Sequence, residues 1–477
     1  MGGEARGEAL IRVEYPTHRT GTPKLPLNTN HPFGILTIML SNGPSPKKRT
    51  RHDIQCIYLF TCQLVFSIQR SNGILDQLYS FLPFMSRTTT TLAITQRGHI
   101  RRREMPFYSY LKSKIKSKDR PRVTKNLLGL MDQLDNLVPP KDTEENLLLA
   151  TWNIRDFGKP NGWGWGNRLK ESYFYIAEII SRFDFVAVQE INELGPWEEV
   201  MKILGGKWDY IATDVADIKG GGNGERMAFV FDRRKVSFQH IAGEIVLPPH
   251  LLISKSTFEI KGKKVTAGKQ FRRTPFIASF QAGWLKFDIC TVHIFYGKEY
   301  GEGLQERIKE IETIAKYLSK KANSELRKER ALILLGDFNI KNPEHETMEA
   351  LTSNGFTVPD ILNGFPATPT GMYYDQIAFK EKKGIINFTN TDNTSPHTRN
   401  AGSINVYERL FTEEALHIYE SYVKSCKKGK NATTREELLK AFYTWRTHQL
   451  SDHFPLWIRI NTNNSKQYLT NLSTSSR

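Results

Sequence analysis

The chain has 477 residues, 39% hydrophobic and 11% aromatic, enough apolar material to close a sizeable core, which excludes a disordered or fibrous protein. Its net charge of +17 is unevenly placed: residues 1–104 hold 14 basic against 6 acidic residues and 105–125 hold 7 against 1, leaving 46 against 43 for the rest, so the charge alone does not make the body a nucleic-acid binder. The four cysteines (Cys56, Cys62, Cys290 and Cys426) show no paired spacing, which excludes a disulfide framework.

Residues 1–104 alternate loops rich in Pro, Gly and Asn with basic clusters such as "SPKKRTRH" and carry no core-forming period. They read as a targeting leader, disorder, or sequence upstream of a translation start at Met105. The apolar run "IQCIYLFTCQLVFSI" (54–68) is shorter than the roughly 20 residues of a membrane span, so no transmembrane helix is expected. Residues 105–145 read as a basic arm and linker: Leu111 and Ile115 sit at helical spacing among lysines, and a solvated arm is the expectation.

From about 146 the pattern becomes regular. Short apolar runs predict strands at 147–153, 184–189, 208–212, 227–232, 275–281, 284–293, 331–336, 374–379 and 454–460. Helical periodicity predicts helices at 168–182, 196–204, 303–321 and 343–351. The span 387–447 begins as a loop and continues with helices at 408–425 and 434–446, an insertion before the last strand. Residues 463–477 read as a polar tail. Many strands with interspersed helices predict an α+β sandwich.

The predicted strands repeatedly end in short polar side chains: Asn153, Glu190, His293, then Asp337 and Asn339 in "LILLGDFNI", with Asp452 and His453 opening the last strand. A lone Asp or His at a strand end is ordinarily a cap or a packed residue; an ordered set of them is what a scaffold holding catalytic groups at its rim looks like. Acids and amides without a thiolate cluster favour a hard divalent cation, Mg²⁺ or Mn²⁺, with Glu190 and Asp452 as candidate ligands. Asp337, Asn339 and the two histidines would move protons and neutralise charge, the requirements of phosphoester hydrolysis.

At "WNIRDFG" (152–158), "FDFVAVQE" (183–190), "ERMAFVFDRRKVS" (225–237), "RRTP" (272–275), "TVHI" (291–294), "LLGDFNI" (334–340), "YYDQIAF" (373–379) and "SDHFPL" (451–456) the sequence resembles the endonuclease/exonuclease/phosphatase superfamily, and within it most resembles the pancreatic-type deoxyribonucleases. The resemblance runs over about 147–460, in the family's order, and implies a four-layered fold with two mixed β-sheets flanked by helices. It implies that Asn153 and Glu190 bind metal and scissile phosphate, with Asp452 as a further ligand. Asp337 and Asn339 would lie beside the attacked phosphorus. Glu225 would orient His293, Asp375 would orient His453, and Arg155 and Arg273 would contact substrate phosphates.

Departures from those deoxyribonucleases bear on substrate. Asn192 stands where they place a groove-reading arginine, "GGGNG" (220–224) where they place a tyrosine, and Asn342 and Met372 at the positions of a cysteine pair. The expectation is a metal-dependent phosphodiesterase, foremost an endonuclease on DNA or RNA, monomeric and cytoplasmic, with Trp163, Trp165 and Arg168 of "NGWGWGNRLK" offering an aromatic and basic face. The alternatives are a phosphatase or lipid phosphodiesterase on the same scaffold, and a non-catalytic interaction module.

Overall fold

The computed structural model describes residues 106–474 apart from 143, 217, 219–221, 261–262, 326–329, 382–384, 389–394 and 396, so the readings of residues 1–104 and of the apolar run at 54–68 lie outside the described residues. Thirteen strands are described: β1 (Asn146–Phe157), β2 (Phe185–Ile191), β3 (Trp208–Ala212), β4 (Arg226–Asp232), β5 (Val236–Glu244), β6 (Ser254–Ile260), β7 (Lys263–Lys269), β8 (Phe276–Ala282), β9 (Leu285–His293), β10 (Ala331–Asp337), β11 (Asp375–Lys380), β12 (Ala401–Ser403) and β13 (Leu456–Asn461). The main helices are α1 (Arg120–Leu137), α2 (Lys170–Ser181), α3 (Leu194–Leu204), α4 (Glu302–Glu325), α5 (Glu346–Thr352), α6 (Leu416–Ser425), α7 (Arg435–Gln449) and α8 (Ser465–Thr474).

One sheet runs β12-β13-β1-β2-β4-β3, the other β11-β10-β9-β8-β5, and β6-β7 form a separate hairpin. Both large sheets are mixed, with parallel pairs β1–β2 and β9–β10. Each packs a face on the other and a face on helices, which is why the core strands read as continuous apolar runs. In β1 the alternation is explicit: Leu147 and Leu149 join the core between the sheets, while Leu148, Ala150 and Trp152 join the core under the helices. The inter-sheet core is aromatic, Phe185 meeting Phe280 edge to face at 4.9 Å. A third apolar cluster joins Ile311, Ile314 and Leu318 of α4 to Leu332 and Leu334 of β10. This is the four-layered arrangement that the sequence predicts.

The structure adds detail to three local expectations. The 105–145 segment is not a solvated arm: Ile115, Val123, Leu127, Leu130 and Leu134 are buried in the core under the first sheet. The spacing of the last four residues puts them on one face of α1, while the lysines before them stay outside. The helices of the 387–447 insertion, α6 and α7, add to the central packing, because Tyr419, Val423, Phe442 and Trp445 belong to that same core and β12 pairs with β13. In the polar tail, 465–474 is helical, with Tyr468 against Trp284 at 5.6 Å.

Leu130→Ala and Leu134→Ala are each expected to lower stability by about 2–5 kcal/mol, the range for emptying a packed leucine site. Denaturant unfolding measures this, and an unshifted midpoint would return α1 to the status of an arm.

Candidate active site

The site lies where the two sheets meet at one end. Along each contributing strand, the residues that fill the inter-sheet core alternate down to a polar one at the end. On β9, Phe287 and Ile289 lead to Thr291 and His293; on β10, Ile333 and Leu335 lead to Asp337; on β11, Phe379 and Ile377 lead to Asp375. The ladder register pairs Asp337 with His293 on one side and with Asp375 on the other, so these three form one row across the second sheet. The first sheet contributes Asn153 from β1, and Glu225 stands just before β4.

Glu190 breaks this rule. Phe185 and Ala187 face the inter-sheet core and Gln189 follows them, so strict alternation would send Glu190 to the helix side. Its φ of +65° and the break in register between Val188 and Ile191 turn it back. Its carboxylate then accepts hydrogen bonds from Asn153 Nδ2 at 2.8 Å and from the Asp156 N–H at 2.7 Å. Arg155, Asp156 and Asn339 also have positive φ, at +42°, +46° and +55°. Backbone strain is thus concentrated among the groups that surround the site, as at many functional sites.

Asp337 is the hub. Its Oδ2 accepts from Asn153 Nδ2 at 3.1 Å and its Oδ1 from the Asn339 N–H at 2.9 Å. His293 Nε2 and His453 Nε2 lie 3.5 and 3.6 Å from the same Oδ2. Each imidazole is held from behind, His293 Nδ1 by Glu225 Oε1 and His453 Nδ1 by Asp375 Oδ2 at 2.6 Å, so both Nε2 atoms face the site. Gly336 explains the glycine of "GDFN": at φ +130° a Cβ there would lie 2.1 Å from the Val292 carbonyl oxygen, so a side chain would force β9 and β10 apart where they carry His293 and Asp337.

The electrostatics follow from burial and crowding. Burial, with Glu225 nearby, pushes Glu190 up to about 7, and burial pushes Asp375 up to about 6. Glu225 goes the other way: burial opposes its ionisation, but His293 and Arg273 outweigh it and hold the carboxyl below its ordinary value. For His453, burial disfavours the charged ring, yet Asp375 and Asp337 prevail and raise it to about 10. His293 is raised too, burial and Arg273 being outweighed by Glu225 and Asp337. The His453 ring is therefore imidazolium at neutral pH.

The remaining expected residues take particular places. Arg273 Nε pairs with Glu225 Oε1 at 2.7 Å. Arg155 pairs with Asp452 at 2.8 Å and donates to Thr447 Oγ1 at 2.5 Å, and Asp452 is at the half-exposed rim. Asn153 Oδ1 accepts from the Arg155 N–H at 2.9 Å, so its amide is engaged on both ends. Asn339 spends its Nδ2 on the Ile294 carbonyl at 2.8 Å, closing the loop that presents Asp337. Of the aromatic and basic face, Trp165 is buried and stacked on His448 at 6.2 Å, and Arg168 donates to the Ile154 and Leu450 carbonyls at 2.9 and 2.8 Å; Trp163 remains exposed.

Five supporting residues are not among those the sequence singles out. Gln189 Nε2 donates to Thr291 Oγ1 at 2.9 Å and meets Thr151 Oγ1 at 3.2 Å, a buried polar tie between the sheets directly under Asn153, Glu190 and His293. Ser451 Oγ donates to the Asn153 carbonyl at 2.5 Å and accepts from the His453 N–H at 2.9 Å. Arg307 of α4, buried, donates to the Asn339 carbonyl at 2.9 Å. Only after folding are these polar residues distinguishable from others of their kind.

The residues present suit a hard cation. Glu190, Glu225 and His293 each bring a ligand atom to within 4.8 Å of the others. Glu225 Oε2 and Asp375 Oδ1 are buried with no hydrogen-bond partner among the described residues, and oxygen donors match Mg²⁺ or Mn²⁺.

No family model matches the chain. A curated deoxyribonuclease from Thioalkalivibrio sp. (strain K90mix) is 27% identical over 213 residues, covering 43% of this chain and 50% of the relative; the chain thus spans about half the length of the curated relative it matches. An endonuclease/exonuclease/phosphatase family protein from Bacteroides thetaiotaomicron aligns with a TM-score of 0.38 at 18% identity, covering 67% of this chain and 98% of its own. The mannosyl-6-phosphatase of Bacteroides thetaiotaomicron VPI-5482 aligns at 0.37 and 18%, covering 66% and 98%. In its ordered motifs and its layered fold the chain is similar to the endonuclease/exonuclease/phosphatase family.

Proposed function

We propose that the chain is a divalent-metal-dependent phosphodiesterase, foremost an endonuclease hydrolysing the phosphodiester bonds of DNA or RNA. The observation that carries this reading is the convergence of two carboxylate-backed imidazoles on Asp337, with a carboxylate cluster beside them. The curated deoxyribonuclease relative supports the nucleic-acid part.

Glu190 would hold the cation, with Glu225 as a further oxygen donor. When bound, the ion supplies Lewis-acid polarisation of the phosphoryl group. Asp452 is engaged with Arg155 and Asn153 with two carboxylates; both serve this reading as positioning groups for Arg155 and for the phosphate.

The chain's own groups divide the remaining work. Asp337, fixed by two hydrogen bonds, orients the attacking water and accepts its proton as the new P–O bond forms. His453, charged at neutral pH, donates its Nε2–H to the phosphoryl oxygens, where negative charge grows. His293 delivers a proton to the departing oxygen as the old P–O bond breaks, with Glu225 stabilising the imidazolium beforehand. Arg155 anchors a neighbouring phosphate as a bidentate donor.

Glu190→Gln is expected to lower hydrolysis of bis-p-nitrophenyl phosphate by at least about a hundredfold, and Asp337→Asn or His453→Ala by roughly 10²–10⁴. Full turnover in EDTA would overturn the metal requirement. A panel of single-stranded DNA, duplex DNA, RNA, a sugar phosphate and sphingomyelin separates the nuclease from the phosphatase and lipid readings.

The raised carboxyls also set a pH dependence. Glu190 is raised from 4.5 to about 7 and Asp375 from 3.8 to about 6. The folded state therefore binds protons more tightly than the unfolded chain between those values, and metal-free stability falls as pH climbs from about 4 to about 7. A cation offsets the charge on Glu190 only once it is ionised. Mg²⁺ should accordingly raise the melting temperature more at pH 8 than at pH 5; equal increments at both would count against Glu190 as the holder.

A further inference from the structure

Directly after β1 the backbone passes through a run of left-handed residues: Asn161 at φ +58°, Gly162 at +42°, Trp163 at +55° and Gly164 at +95°. Glycine tolerates such angles; a bulky aromatic ordinarily avoids them. The neighbours of Trp163 are fastened down. The Asn161 N–H donates to Asn167 Oδ1 at 2.8 Å, the Gly164 carbonyl accepts from the Lys428 N–H at 3.1 Å, and the Trp165 carbonyl accepts from Cys426 Sγ at 2.8 Å. Trp165 turns inward onto His448, whereas Trp163 is 51% exposed.

The exposed indole is held by more than its backbone. Lys159 Nζ lies 4.5 Å from its ring centroid and donates to the Asn223 carbonyl at 3.3 Å, and Asn223 Nδ2 donates to Asp156 Oδ1 at 3.3 Å. These contacts tie Trp163 to the segment carrying Arg155 and Asp156, at the rim of the site. Beside it, Asn192 is buried and its Nδ2 faces the Asn223 and Gly224 carbonyls at 3.3 and 3.1 Å, so this residue offers nothing that could enter a duplex groove. A rigid, half-open indole with a cation on its ring is suited to stack on a nucleobase, and a base can offer its face only when splayed from a partner strand.

We propose that Trp163 is a stacking platform for an unpaired base of the strand whose phosphate occupies the site, and that it biases the protein toward single-stranded nucleic acid. This rests on the nucleic-acid reading above. The experiment is fluorescence anisotropy on the full chain with a labelled single strand and the matching blunt duplex, in EDTA to suppress hydrolysis, comparing wild type, Trp163→Ala and Trp163→Phe. The wild type is expected to bind the single strand more tightly. Trp163→Ala should weaken that binding roughly 5- to 100-fold, the scale of losing one stacked base, Trp163→Phe should recover most of it, and duplex affinity should change by less than about twofold. Unchanged single-strand affinity in Trp163→Ala, an equal loss for strand and duplex, a wild type that prefers duplex, or one that binds neither overturns the platform. Failure of the underlying reading shows separately, as a wild type that hydrolyses neither oligonucleotide nor bis-p-nitrophenyl phosphate with Mg²⁺.

Discussion

Like charges crowded into a dry place are the constraint around which this end of the molecule is organised. Glu190, Glu225, Asp337 and Asp375 gather where two apolar sheets meet, and burial together with their mutual repulsion makes that arrangement costly unless opposite charge is built in beside them. His453 and Arg273 are that charge, and His293 is pulled the same way by the carboxylates on either side of it. Each histidine is caught between a carboxylate behind it and Asp337 in front, so the pairs stabilise each other and fix the imidazoles in orientation. The core beneath keeps the cluster in place, because the tie from Gln189 to Thr291 spans the gap between the sheets and leaves neither free to slide.

Much of this was legible in the sequence for a simple reason: a strand buried on both faces must be apolar, and a polar residue at its end is conspicuous. β1, β2, β9, β10 and β11 all announce themselves in this way, and their terminal residues are the ones that converge. β5 is not legible in this way because most of its length is exposed at the sheet edge, so it lacks the apolar run. The hairpin of β6 and β7, rich in lysine and polar residues, is hidden likewise. In α1 the basic flank masks the apolar spacing of Val123, Leu127, Leu130 and Leu134.

The site was harder to read than the fold, since its residue list does not contain its geometry. Nothing in "VAVQEI" announces that Glu190 adopts a left-handed conformation and abandons the alternation of β2. Nothing in the helical periodicity of α4 marks Arg307 as the donor that closes the Asp337 loop. Asp452, Asn153 and Asn339 were recognisable as polar rim residues, but their partners emerge only when distant segments meet. Of the two tryptophans in the loop after β1, equal in sequence, one became packing and the other surface.

The α6–α7 layer extends the same logic to the rest of the chain. Its aromatic residues close the core under the first sheet, and Thr447 of α7 reaches back to Arg155, so a segment distant in sequence takes part in aiming a residue of β1.

The left-handed residues around the site have a bearing on how this protein changes over generations. At Arg155, Asp156, Glu190 and Asn339 a glycine would relax the backbone, so selection for foldability alone pulls those positions toward glycine while selection for chemistry holds them. Glycine at any of these four positions would ease the backbone and at the same stroke remove a side chain from the site. The strain thus marks where stability and the arrangement of the site pull in opposite directions.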